Sequence, residues 1–367
     1  TEEIEIDEPH PHEVQVHMAY AGMCQSDEHL RLGDMIPAPE LAALMPSMFP
    51  VIGGHEGSGF VTAVGPEVQH VAVGDRVAAS FIPSCGMCFW CASGRQNLCD
   101  LGAHTLSGPM MSDGTWRHHF GGANLGRMCQ LGTFSETMVV HEGSVVKIAP
   151  DAPLKAAALI SCGIATGFGA VTDRAAARPG EVVVVVGCGG VGSGALQGAR
   201  LAGARAIVAV DPVQFKVDQA KKIGATHGAA SMEEALPLVG EITQGRMADI
   251  VILTPDTLTG EMIAPACSLG SKDARIVCTA IAPMTQNDVQ LNLFMFAMYN
   301  QSLLGTVFGS ASPRVQVPRL LDLCKSGQLD IDELITKEYS LDEVQQGYDD
   351  LHAGRNVRGV VNFGTDS

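Results

Sequence analysis

Cys85, Cys88, Cys91 and Cys99 fall within the stretch CGMCFWCASGRQNLC. Two-residue gaps let successive thiolates turn back onto one point, and the following loop brings in the fourth to complete a tetrahedron. That is the ligand set of a closed, all-thiolate structural zinc site. A second set lies outside this lobe. Cys24 sits in GMCQSDEHL, His55 in GGHEG and Cys162 in LISCGIATG. One imidazole and two thiolates leave the fourth position of a tetrahedral ion open, as a catalytic zinc requires. Singly, each of the three reads as an ordinary structural residue. Their occurrence beside a nucleotide loop makes the case, and the expectation is two zinc ions per subunit.

The nucleotide loop is GCGGVG, in which Gly187, Gly189 and Gly192 follow a valine strand and open a helix, with Gly190 and Val191 between them. The first glycine permits the tight turn. The second lets the backbone approach a pyrophosphate, and the third lets helix and strand pack closely. Free N–H groups and partial positive charge at the helix start hold the phosphates. Asp211 ends the next strand, 19 residues beyond Gly192. A carboxylate there accepts from the adenosine ribose hydroxyls and repels a 2′-phosphate, which favours NAD over NADP. The plainer reading of Asp211 is a turn residue before Pro212.

These groups need scaffolds, and the chain changes rhythm to supply two. Up to about Gly163, short apolar runs such as VQVHMAYAG, GFVTAVG and GDRVAASF are broken by Gly, Pro, Asn and Asp, the mark of a mostly-β domain with long loops. From about Ala165, strands (EVVVVVG, ARAIVAVD, ADIVILT, ARIVCTA) alternate with helices (GSGALQGARLAG, VQFKVDQAKKIG). Such alternation means βαβ units in a doubly wound parallel sheet. The fold class is therefore α/β, a Rossmann-type sheet domain beside a mostly-β domain. The expected boundaries are residues 1–163 and 308–367 for the catalytic domain, with a zinc lobe at 84–100, and 164–307 for the nucleotide domain.

A length of 367 residues fits two domains, and a net charge of -17 leaves no basic stripe for nucleic acid or an anionic membrane surface. No apolar run reaches the ~18 residues that span a bilayer, and no basic, then apolar, leader opens the sequence. Eleven cysteines without an export signal point to metal ligation in a reducing cytoplasm. Cys188, Cys267, Cys278 and Cys324 lie in apolar or helical surroundings and read as core fillers.

GHEGSGFVTAVG, CGMCFWCASGRQNLC and VVVVVGCGGVG resemble, in order and spacing, the motifs of the zinc-dependent medium-chain alcohol dehydrogenases, and the resemblance covers essentially the whole chain. It implies a GroES-like catalytic domain and interconversion of alcohols with aldehydes or ketones by hydride transfer to or from NAD. It implies that Cys24, His55 and Cys162 hold the catalytic zinc and the four lobe cysteines the structural one. Ser26 would contact the substrate hydroxyl, and His29 would end a proton relay to solvent. Asp27 would bond the imidazole ligand, and Glu56 would lie near the zinc and transiently ligate it. Thr166 and Val191 would press the nicotinamide, Lys216 would face the adenosine ribose, and Arg358 the pyrophosphate. Met128 and Cys129 resemble substrate-channel positions. SFIPSCGMCFWCASGRQNLCDLGA and the DGTWR region are most similar to the actinobacterial N,N-dimethyl-4-nitrosoaniline (NDMA)-dependent members. Those retain NAD and pass electrons to an external acceptor.

Three departures stand out. Gln25 replaces a basic residue that many relatives place on the pyrophosphate. Met35–Pro50 is about ten residues longer than usual, which reshapes the substrate mouth or is a surface insertion. The sequence opens at TEEIEIDEP without the family's first strands, so a trimmed or misassigned start is expected. Two other functions fit the same residues: S-(hydroxymethyl)glutathione (formaldehyde) dehydrogenase, which needs a basic pocket, and a non-catalytic zinc- and NAD-binding sensor, which has no use for a proton relay. QSLLGTVFG, residues 301–309, reads as an unprotected edge strand that would pair two subunits into a homodimer or a homotetramer.

Overall fold

The computed structural model describes residues 1–36 and 47–365, so most of the long Met35–Pro50 stretch lies outside the described residues. The chain divides into two compact units. One comprises Thr1–Leu32, Ile36–Cys162 and Ser312–Ser367; the other comprises Gly33–Met35 and Gly163–Ala311.

The first unit is organised by the ten-residue strand Glu13–Gly22. It pairs antiparallel with Glu56–Val64 on one side, and with Thr137–His141 and Arg358–Asn362 along the other. Val14, Val16 and Met18 pack on Val61, Val77, Met138, Val140 and Val145 to form this unit's core. β-Branched side chains at such positions suit a pleated, half-buried surface. A buried ion pair underlies the same strand: Arg117 Nε reaches Glu13 Oε2 at 2.7 Å and Nη2 reaches Oε1 at 3.0 Å. The two parallel bonds offset the cost of taking both charges out of water.

The second unit carries a six-stranded parallel sheet, in the order His227–Ala229, Ala206–Val210, Val182–Val186, Ala248–Leu253, Gly270–Cys278, Ser302–Gly305. All five valines of Val182–Val186 are buried, as expected for a strand covered by helices on both faces. Connections leave this strand in opposite directions, so the switch point of the doubly wound sheet lies at its carboxyl end, where Gly187–Gly192 begins. Ser302–Gly305 is an edge strand, mostly exposed. Leu154–Arg174 is a helix long and apolar enough to cross a bilayer by composition, which the sequence reading did not anticipate. It is a core helix instead, with 94% of its apolar window buried.

Candidate active site

Cys24 ends the central strand's exit, and the helix Gln25–Leu32 starts directly after it. Ser26 and His29 are three residues apart on this helix and share a face. Ser26 Oγ lies 3.6 Å from the Cys24 sulfur. His29 is only 3% exposed, so the relay position expected to meet solvent is itself covered.

His55 reaches the same place from the start of the strand Glu56–Val64. Its approach depends on Gly54, whose φ is 87° and whose N–H donates to Asp27 Oδ1 at 2.7 Å. A Cβ at Gly54 would lie 2.6 Å from the Phe134 nitrogen, so only glycine fits. Asp27 Oδ2 then lies 3.0 Å from His55 Nδ1. Neither atom has a hydrogen-bond partner elsewhere among the described residues, and a carboxylate facing Nδ1 favours the tautomer protonated there. Cys162 arrives on the helix Leu154–Arg174, which is fastened to the His55 strand twice. Gly57 N–H donates to Ser161 Oγ at 3.1 Å, and Ser58 Oγ donates to the Leu154 carbonyl at 2.6 Å.

The ligand atoms of Cys24, His55, Glu56 and Cys162 all lie within 4.8 Å of one another, and all four residues are buried. Their electrostatics suit a cation. The Cys24 thiol is held well below its usual range by its hydrogen bond to Cys162, against the effect of burial. Cys162 is driven well up by the same bond and by burial. Burial opposes the imidazolium, yet Asp27 and the Cys24 thiolate keep His55 well above its ordinary value. One cysteine held low beside an imidazole held high is a buried donor set whose binding of a cation would be coupled to proton release. Burial also pushes Glu56 up to about 7, against the pull of Arg358. The Arg358 guanidinium bonds Glu56 directly, while its Nε has no partner among the described residues. The pairing of residues so far apart in sequence carried no sequence signal. The structure ties Arg358 to this acidic neighbour of the metal set and says nothing of a pyrophosphate.

The four-cysteine lobe fits zinc on geometry. Four sulfurs at about 2.3 Å from one ion stand roughly 3.8 Å apart. Cys85 Sγ and Cys91 Sγ are 3.9 Å apart, and all four sulfurs lie within 4.8 Å of one another. Backbone N–H groups of Cys85, Cys88 and Cys91 donate to the Cys99, Cys85 and Cys88 sulfurs, each at 3.4 Å, and so fix the sulfurs in place.

In the second unit the fingerprint glycines take the places their roles demand. Gly187 has φ 92°, and a Cβ there would lie 2.8 Å from Pro255 N. A Cβ on Gly192 would lie 2.9 Å from the Gly187 carbonyl carbon. Gly189 faces open space and caps the helix Gly190–Leu201. Asp211 is fixed by this loop: its Oδ2 accepts from Cys188 N–H at 2.8 Å and its Oδ1 from Val213 N–H at 2.9 Å. Lys216 lies half-buried on the next helix. Thr166 is buried with its Oγ1 unpartnered, and a Cβ on neighbouring Gly167 would strike the Val191 carbonyl.

Residues 10–151 match the family model described as "Alcohol dehydrogenase GroES-like domain", and residues 190–326 the one described as "Zinc-binding dehydrogenase". "Alcohol dehydrogenase B" of Mycobacterium tuberculosis is 45% identical over 365 residues, covering 100% of this chain and 95% of that one. The "NDMA-dependent alcohol dehydrogenase" of Amycolatopsis methanolica is 43% identical with the same coverage. The "S-(hydroxymethyl)glutathione dehydrogenase" of Saccharomyces cerevisiae is more distant, at 34% over 98% of this chain and 92% of that one. Among solved structures, benzyl alcohol dehydrogenase from Acinetobacter calcoaceticus superposes with a TM-score of 0.86 at 27% identity, over 98% of this chain and 94% of the other.

Proposed function

The chain belongs to the medium-chain zinc-binding alcohol dehydrogenases, and from that premise we propose that it oxidises primary alcohols to aldehydes with an NAD that stays bound between turnovers. An external electron acceptor would then take the two electrons from the NADH formed and regenerate NAD in place. The observation that carries the alcohol chemistry is the convergence of two cysteine sulfurs and one carboxylate-held imidazole, with the fourth donor of the cluster, Glu56, held by Arg358, so that a fourth ligand position is left for an oxygen. Bound zinc supplies Lewis acidity toward an alcohol or carbonyl oxygen, and bound NAD supplies the hydride acceptor.

The chain's own residues do the rest. Asp27 fixes the His55 tautomer so that Nε2 presents its lone pair. Ser26, held beside Cys24, takes the proton that the alcohol hydroxyl gives up. His29, on the same helix face, receives it onward. Glu56 and Arg358 neutralise each other next to the ligands, so the site gains no stray charge. Asp211, locked by Cys188 and Val213 N–H groups, presents a fixed negative charge to the adenosine ribose and favours NAD.

Replacing His29 by Gln should lower kcat by about 10²-fold, at the low end of the 10²–10⁴ range for a positioned proton-transfer group, and flatten the pH–rate profile. A profile identical to the parent's would remove His29 from the proton path.

The glutathione reading lacks its anchor. Arg117 and Arg127 are the basic residues of the 102–132 stretch, and both are 1% exposed, turned into the fold. Eleven cysteines outside any disulfide, six of them gathered into the two metal sets, fit a reducing cytoplasm. The exposed edge Ser302–Gly305 would pair with its copy in a homodimer and continue the sheet across a two-fold axis. One native mass measurement of purified protein reads subunit number, zinc and NAD together. We expect at least two subunits, two zincs per chain and retained NAD, with turnover of a primary alcohol on adding NDMA alone. Protein that elutes free of nicotinamide and turns over only with added NAD would place it among ordinary dissociable dehydrogenases.

A further inference from the structure

The segment 126–134 runs alongside Val51–Gly54, the approach to His55. Gly126 and Arg127 pair in parallel with Val51 and Ile52. Beyond them, Thr133 N–H donates to the Gly54 carbonyl at 2.9 Å and Phe134 N–H to the Gly53 carbonyl at 3.0 Å. Between these two attachments the backbone does something costly. Cys129 has φ 52° and ψ 32°, and Gln130 has φ 62°. Two successive non-glycine residues in the left-handed region persist only where their surroundings over-determine them.

The Gln130 side chain supplies that determination. It is buried, and all of its polar capacity is used. Its Nε2 donates to the Ser107 carbonyl and, at 2.9 Å, to the Pro109 carbonyl. Its Oε1 accepts from Arg127 Nη2 at 3.0 Å and from Met111 N–H at 3.2 Å. Arg127 is equally buried and has no carboxylate partner among the described residues; its other contacts there are the Met110 sulfur and two backbone carbonyls, each at 3.5 Å. One amide therefore binds the 107–111 loop to the turn. The product of this arrangement is the placement of Cys129. Its side chain is 6% exposed, on a turn whose two ends are fastened to Val51–Gly54, directly before His55.

We propose that Gln130 is a positioning residue for the substrate: through Arg127 and the 107–111 loop it holds the left-handed turn that makes Cys129 a wall of the alcohol position, and so sets which alcohols fit. The inference rests on the alcohol dehydrogenase reading above. Nothing about Gln130 requires it for binding the metal or for proton transfer. Its influence is on the shape left for the carbon chain.

The test compares kcat/KM for benzyl alcohol and for ethanol in the zinc-loaded parent, C129A, Q130L and the double variant, with zinc content and unfolding midpoint measured on each. One methylene of pocket space is worth about 10–200-fold in selectivity, so C129A should change the benzyl-to-ethanol ratio by about tenfold. Q130L should change it by a similar factor, mostly through KM. The double variant should add less than about twofold to either, because both act on one wall. If Q130L does not fold, Q130E takes its place: it keeps the accepting oxygen and loses both donors, and should move the ratio in the same direction. A parent that turns over no alcohol would overturn the functional reading and this inference with it. A parent active on both alcohols, with a ratio unchanged in C129A or with both rates falling equally in Q130L or Q130E, would overturn the inference alone.

Discussion

Cys162→Ala should lower kcat/KM for every primary alcohol by at least about a thousandfold, or about 4 kcal/mol of transition-state stabilisation at 1.36 kcal/mol per factor of ten. Even residues that only support a metal ligand contribute 10–100-fold in affinity or activity. A ligand itself sets both the charge and the geometry of the ion, so its loss costs more. The fold should survive. The helix that carries Cys162 is held by its buried Leu, Ala and Ile side chains and by the Ser58 and Ser161 bonds, none of which involve the thiol. The expected protein is folded, holds about one zinc per chain by elemental analysis, and is inactive. Full zinc content with retained turnover would show that the third ligand lies elsewhere.

Cys91→Ser should have the opposite profile. Its sulfur belongs to a set in which all four positions are taken by the chain, so the ion there has no room for substrate and contributes to folding instead. Losing one thiolate should cost at least about 2 kcal/mol, which for a unit of 150–250 residues lowers the unfolding midpoint by about 4–8 °C. Residual activity per active site, measured well below that midpoint, should stay within a few-fold of the parent. Calorimetry of the variant beside the parent decides it. An unchanged midpoint would deny the lobe a structural role.

Much of this was legible from the chain because the relevant signals are local. The lobe cysteines announce themselves within one short stretch, and the glycine fingerprint is read from six residues behind a valine strand. The gathering of Cys24, His55 and Cys162 was legible through the wording around each of them. What escaped was whatever depends on distant partners. Nothing marks Arg358 as the partner of Glu56, or Arg117 as the partner of Glu13, because a buried ion pair leaves no periodicity in sequence. The left-handed turn at Cys129 and Gln130 was equally silent, since neither residue type signals positive φ. His29 is a related case: its position behind Ser26 was readable, but its burial on a helix depended on what packs over it. The Leu154–Arg174 helix escaped for another reason. Its small, apolar, glycine-containing composition fits a core segment of either kind, and only its neighbours make it a helix.

The spacing of the two metal sets has a consequence for how the protein comes apart. Cys85 and Cys99 are 14 residues apart, whereas Cys24 and Cys162 are separated by 138, on a strand exit and a core helix. Gathering ends across the longer stretch costs a disordered chain about 2 kcal/mol more, from the logarithmic dependence of closure entropy on length. A partly denatured molecule can thus keep its four thiolates gathered after the distributed set has scattered. Metal loss on unfolding is then stepwise, with activity gone while the lobe still grips its ion, and a refolding chain would start from that gripped lobe as its one piece of remembered order.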